Sequence, residues 1–167
     1  MFSRQKLQLG GFALLVSLCS FSLQTTQTKD ASSRAAVVVW SADLSGSQET
    51  PAVSTEAKAK VEFTFDFQAK TAKFQMTGEN LQDVSRILLL TKGLQTSLKG
   101  TPVLTLYNAS ETPALPKAGA YTKAFTGSAF EQIANAVLNG IGVVEVTTEA
   151  HPNGEIAGLV EMHKSYQ

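Results

Sequence analysis

Residues 55–67, TEAKAKVEFTFDF, constrain this chain more than any other stretch. Ala57, Ala59, Val61, Phe63, Phe65 and Phe67 recur at every second position, and Glu56, Lys58, Lys60, Glu62, Thr64 and Asp66 fill the positions between. A helix would scatter both sets around its circumference, whereas a strand sends successive side chains to opposite faces. The stretch therefore predicts a strand with one face on a core and the other in water. Its alternating Glu and Lys residues suit cross-strand pairs and discourage stray edge pairing. A turn over residues 68–71 leads into Ala72, Phe74 and Met76, again at period two, which makes the pair a hairpin.

Further strands follow from the same pattern. Residues 37–44 (VVVWSADL) put Val38, Trp40, Ala42 and Leu44 on one face, so Trp40 reads as core. Residues 85–91 (SRILLLT) are almost continuously apolar, as expected of a central strand covered on both faces. Residues 103–107 (VLTLY) and 120–126 (AYTKAFT) are strands. Residues 92–102 and 108–119, rich in Gly and Pro, are expected to be long exposed loops. Residues 128–139 form the one helix, with Phe130, Ile133, Ala134, Val137 and Leu138 on one face. Ser128 and Glu131 have the spacing of a capping box, and Asn139-Gly140 supplies the stop. Residues 143–160, VVEVTTEAHPNGEIAGLV, then form a closing hairpin about His151-Pro152-Asn153-Gly154. The sum is about eight antiparallel strands with one short helix before the last hairpin, an all-β Greek-key or immunoglobulin-like sandwich, or a barrel.

The N-terminus reads as an export signal. Arg4 and Lys6 precede an apolar run over residues 7–23, and small residues at Ser20 and Ser22 suit cleavage after Ser22. Residues 1–22 are thus a signal peptide, 23–36 a polar tether, 37–163 the domain and 164–167 a tail. Cys19, the single cysteine of the 167 residues, lies inside the leader in a lipobox-like VSLC context, so a membrane is implied only if it is acylated. The expected location is the periplasm, the cell surface or the exterior. The mature domain has no disulfide and is held by core burial. Loss of Arg4 and Lys6 leaves 12 of the 14 basic residues against 14 acidic ones, a net charge of about −2, with both signs interspersed. That excludes a nucleic-acid footprint, which needs clustered Lys and Arg.

No motif reaches a catalytic, cofactor or metal assignment. His151 and His163 are the two histidines. His151 reads as a solvated turn residue, and no histidine lies in an apolar strand to support a serine nucleophile. Glu155, after Gly154, reads as a structural latch: its carboxylate is expected to accept backbone N–H bonds from the loop at residues 45–49, with Glu49 opposite. Gly154 serves the turn and Gly158 a close backbone approach. Tyr107 and Tyr121, beside the long loops, are candidates for a contact surface. Asn108-Ala109-Ser110 fits a glycosylation sequon, relevant in a eukaryotic source.

Both ends of the domain resemble one family. Leu44-Ser45-Gly46-Ser47-Gln48-Glu49-Thr50-Pro51 resembles the LSG-x-QE-x-P opening of the CHRD domain, named after chordin and found in many exported bacterial proteins. His151-Pro152-Asn153-Gly154-Glu155-Ile156-Ala157-Gly158 resembles its P-x-GEI-x-G ending. The resemblance covers about residues 37–163 and implies an extracytoplasmic β domain. Members commonly carry H-I-H in the central strand and a histidine in an N-V-H-T context. This chain has ILLL at 87–90 and EVTT at 145–148, with Thr147 in the histidine's place. A metal function of relatives is therefore not carried over. The expected role is a non-enzymatic binding or structural module with a protein or glycan partner. The alternative is a metal-handling or redox β-sandwich protein.

Overall fold

The computed structural model describes residues 39–93, 97–112, 115 and 120–163. The expected signal peptide, Cys19, the tether and the tail lie outside the described residues. The strands are β1 (Val39–Ser45), β2 (Lys58–Asp66), β3 (Thr71–Glu79), β4 (Val84–Lys92), β5 (Gly100–Asn108), β6 (Ala120–Phe125), β7 (Gly142–Thr148), β8 (Ile156–Leu159) and β9 (Glu161–His163). The helix α1 (Gly127–Leu138) stands between β6 and β7. One antiparallel sheet runs in the order β5-β4-β7-β8-β1-β2-β3-β6 and coils into a nearly closed barrel. The all-β expectation holds, in its barrel form. β8 lies between β7 and β1, Val160 still bonds through its N–H to Gly142 O at 2.9 Å, and β9 continues along β1.

The alternation of the opening stretch sets β2. Ala59, Val61, Phe63 and Phe65 are buried, while Lys58, Lys60 and Asp66 are exposed and Glu62 and Thr64 half-buried. Phe67 departs from the expected phase. β2 ends at Asp66, whose Oδ1 accepts the Ala69 N–H at 2.8 Å, so Phe67 belongs to the turn and is 52% exposed. It lies against Phe65 (5.6 Å) and Phe130 (6.3 Å), covering the start of α1. The capping box does not form. The helix begins from Thr126, which caps through its backbone without a side-chain bond, so Ser128 already lies inside the first turn. Glu131 faces Lys70 at 3.7 Å instead. Asn139 caps the far end as expected.

β4 is the two-sided strand its sequence promised. Ile87 and Leu89 enter the barrel core with Leu106, Val144, Val146, Ile156 and the α1 residues Phe130, Ile133 and Val137. Leu88 and Leu90 point the other way, into a second cluster with Val143 and Ala157. Leu98 covers that outer cluster, which corrects the expectation of a long free loop over residues 92–102: β4 runs to Lys92, and β5 starts at Gly100. Pro102 is tolerated inside β5 because β5 is an edge strand and the register shifts beside its partner Leu90. The loop expected over 108–119 also starts later, because β5 extends to Asn108. Residues 113–114 and 116–119 of it lie outside the described residues.

The sheet's two outermost strands, β5 and β6, approach each other through side chains. Lys123 Nζ of β6 donates to the Leu106 carbonyl of β5 at 3.2 Å, and the rings of Tyr107 and Tyr121 meet edge to face at 5.3 Å. This seam nearly completes the barrel.

Candidate functional site

Two features gather the chemistry-bearing residues. The first is the junction of the opening loop with the closing hairpin. Residues Gly46–Gln48 form a single 3₁₀ turn after β1, and the Glu49 and Val53 N–H groups both bond to Gly46 O. Those two amides are thus engaged locally, and Glu155 draws its donors from elsewhere. Its carboxylate, 8% exposed, accepts the Thr55 hydroxyl at Oε1 and the Thr148 hydroxyl at Oε2, each at 2.7 Å. Both hydroxyls in turn accept backbone N–H groups, from Ala57 and His151 at 3.1 Å each. Glu155 therefore links the segment before β2 to the end of β7; the loop amides expected to hold it do not take part.

Glu49 meets the hairpin directly. Gly154 has φ +118°, and its Cα lies under the Glu49 carboxylate, so close that a Cβ there would be 2.8 Å from Oε1. Gly158 approaches β1, where a Cβ would stand 2.6 Å from the Asp43 carbonyl oxygen. The four residues singled out in the sequence are thus brought to one junction, through Thr55, Thr148 and backbone contacts that the sequence reading did not name.

A second buried acid stands near Glu49. Glu145 projects from β7 opposite Leu88 and Ala157. Glu49 and Glu145 are 7% and 8% exposed, and Glu49 Oε1 has no hydrogen-bond partner. Burial, and then the Glu145 charge, push the Glu49 pKa up to about 7, against the smaller pull of Lys99 and the Thr50 N–H. Burial also raises Glu145, with Lys99 and Arg86 opposing. Lys99 is itself anchored, its Nζ donating to Asn153 O at 3.3 Å. Glu145 was legible as a lone charge inside VVEV, but a period-two reading gives no reason to expect its neighbour to be Glu49.

The positions that resemble the family's histidine sites carry different chemistry here. Of Ile87–Leu90, Ile87 and Leu89 fill the barrel core and Leu88 and Leu90 the outer apolar cluster. Each such burial contributes about 1.5–3 kcal/mol, where an unpartnered imidazole would cost energy. Thr147, paired in register with Arg86, shares a 2.9 Å hydroxyl contact with Ser85. Among the described residues no group of three or more His, Cys, Asp or Glu side chains is placed to hold a metal ion.

The second feature is a groove of about 660 Å³ at the end of the barrel seam. Its apolar wall includes Met76, Leu81, Tyr107, Leu115 and Tyr121; its polar wall includes Asn80, Gln82, Asp83 and Glu149. Tyr107, a candidate contact residue at the end of its strand, is 1% exposed, its ring packed against Tyr121 of β6. Tyr121 is half-buried, fixed between Tyr107 and Phe74 (6.2 Å), with its hydroxyl pKa raised by burial and then by Tyr107. The β3–β4 loop is held in shape by left-handed backbone at Asn80 (φ 55°) and Asp83 (φ 48°). The Glu149 N–H also bonds to Asp83 O at 3.1 Å. Asp and Asn tolerate that conformation better than other non-glycine residues. Another concavity, of about 620 Å³, lies over β1–β3, where lysines and carboxylates are interspersed and Lys60 and Glu62 pair at 2.9 Å. The groove at the seam is the better candidate because it combines aromatic surface with acidic groups that lack ion-pair partners among the described residues.

A nearly closed antiparallel barrel, with its first loop packed on its last hairpin, defines the class. Within that class the chain belongs to the CHRD domain family, which matches residues 40–160. No curated protein and no solved structure matches it significantly.

Proposed function

We propose that this CHRD domain works outside the cytoplasm as a non-enzymatic binding module and that its contact site is the groove at the barrel seam. The observation that carries the reading is the groove's makeup. Tyr121 of β6 and Leu81 offer apolar surface, and Asn80, Gln82 and Asp83 of the β3–β4 loop and Glu149 after β7 offer polar groups. Such mixed concavities suit recognition. Export is supported by the basic, then apolar, then small-residue order of residues 1–22. The described residues include no helix long and apolar enough to cross a membrane. Two measurements test the proposal. Mass spectrometry of the protein recovered from its host envelope should find an N-terminus near residue 23; an intact Met1 would overturn export. In a pull-down of protein or glycan from that envelope, Ala109→Trp, which fills the groove from an exposed position, should abolish capture. Equal capture by wild type and variant would remove the groove from the proposal.

A further inference from the structure

The groove has a charge character that narrows its ligand. Asp83 and Glu149 stand on adjoining segments joined by a backbone hydrogen bond, and both side chains are exposed. No lysine or arginine lines the groove among the described residues, and neither carboxylate has an ion-pair partner there. Beside them lies Tyr121, a half-buried ring whose orientation is set by Tyr107 and Phe74. Among the described residues an anion would meet two carboxylates and no donor cation. A neutral apolar ligand would cover the ring and leave both charges without compensation. A cation on an apolar stem satisfies all the parts at once, because carboxylates attract its charge and an aromatic face attracts it further.

We infer that the groove between the β3–β4 loop and Tyr121 binds an organic cation, an ammonium or guanidinium group carried on an aliphatic stem. The inference rests on the groove reading above and deepens it. The cation has two possible sources, a free small amine or the Lys or Arg side chain of a partner protein. The shared chemistry is the same, and the groove's volume of about 660 Å³ admits either.

The test is a nuclear magnetic resonance titration of the protein with matched probes. One pair is choline and its uncharged isostere, in which carbon replaces the quaternary nitrogen. The other is a capped lysine or arginine peptide and the same peptide with norleucine. The cations should saturably shift the Tyr121 ring and Asp83 amide signals, with the neutral partners binding at least about fivefold more weakly. The exposed double variant Asp83→Asn/Glu149→Gln should weaken the cations by a similar factor and leave the neutral probes unchanged. Added salt should weaken wild-type binding of the cations. Tighter choline binding identifies a free amine; tighter peptide binding identifies a partner's basic side chain. Equal binding of charged and neutral probes overturns the cation inference while leaving the groove as a binding site. Cation binding unaffected by the double variant overturns it too. If no probe saturates, the inference falls, and the Ala109→Trp pull-down decides separately whether the groove binds anything.

Discussion

The carboxylate of Glu49 rests on the Cα of Gly154, so a side-chain carbon at position 154 would lie 2.8 Å from Oε1 and 2.9 Å from both Cδ and Oε2. A residue of the first loop and a residue of the last hairpin, 105 positions apart in number, thus occupy one van der Waals contact. The contact explains why a glutamate follows Gln48 and a glycine precedes Glu155. Neither side can enlarge without moving the other.

Gly154→Ala adds two penalties, a Cβ against Glu49 and an alanine at φ +118°. Together they should cost about 1–3 kcal/mol, lowering the melting temperature by about 5–10 °C. Combining it with Glu49→Ala separates the two, since truncating Glu49 removes the collision and leaves the backbone strain. A double variant no more stable than the sum of the single losses predicts would show that the contact is unimportant.

Glu49 makes stability depend on pH in the direction opposite to an ion-paired carboxylate. Its pKa is about 7 in the folded protein against an ordinary 4.5, so the folded state holds the proton more tightly. The resulting stabilisation is complete below pH 4.5, erodes between 4.5 and about 7, and is absent above. Glu145, raised by burial, adds to the same slope. Glu49→Gln removes the Glu49 part. The melting temperature of the variant relative to wild type should therefore rise between pH 5 and pH 8, by the equivalent of about 2 kcal/mol. Parallel profiles for the two proteins would refute the assignment.

Glu155 is expected to behave as the centre of a small network. Glu155→Ala strands the Thr55 and Thr148 hydroxyls and should cost about 1–3 kcal/mol. Thr148→Val should cost a comparable amount, because it deprives both Glu155 and the His151 N–H of a partner. The paired substitution should cost less than the sum, since the groups share one network. Strict additivity in chemical denaturation would show that the two do not interact.

The strands were legible because burial leaves a period-two record in the side chains. β2, β3 and the two-sided β4 could be read from Val61, Phe74 and Leu89 and their neighbours. The junction was partly legible: Glu49, Gly154, Glu155 and Gly158 stand out as polar or small residues in turn contexts. Their partners were not, because Thr55, Thr148 and Glu145 arrive through sheet register, and period alone does not set register between distant strands. The groove was hidden for the same reason. Asp83 and Glu149 are ordinary exposed acids until the β4–β7 pairing brings their segments side by side. Tyr107 was misplaced because a position at a strand end does not say what packs on its ring, and the approach of β6 buries it against Tyr121.

The barrel seam supplies the last prediction. β5 and β6 are the outermost strands of the sheet, and Lys123 reaches from one to the other to donate to Leu106 O at 3.2 Å. The same Nζ lies 5.0 Å from the centre of the Phe125 ring, so its stem packs as well as its charge. Lys123→Met keeps much of the stem and removes the donor. A lost charged hydrogen bond of about 1 kcal/mol should raise local opening at the seam by about fivefold. Hydrogen exchange should therefore quicken in β6 and in β5 near Leu106, while the β2–β3 hairpin keeps its protection. Uniform acceleration across the sheet would mean that Lys123 supports global stability and not the seam, and unchanged exchange would mean that the two edges are held together without it.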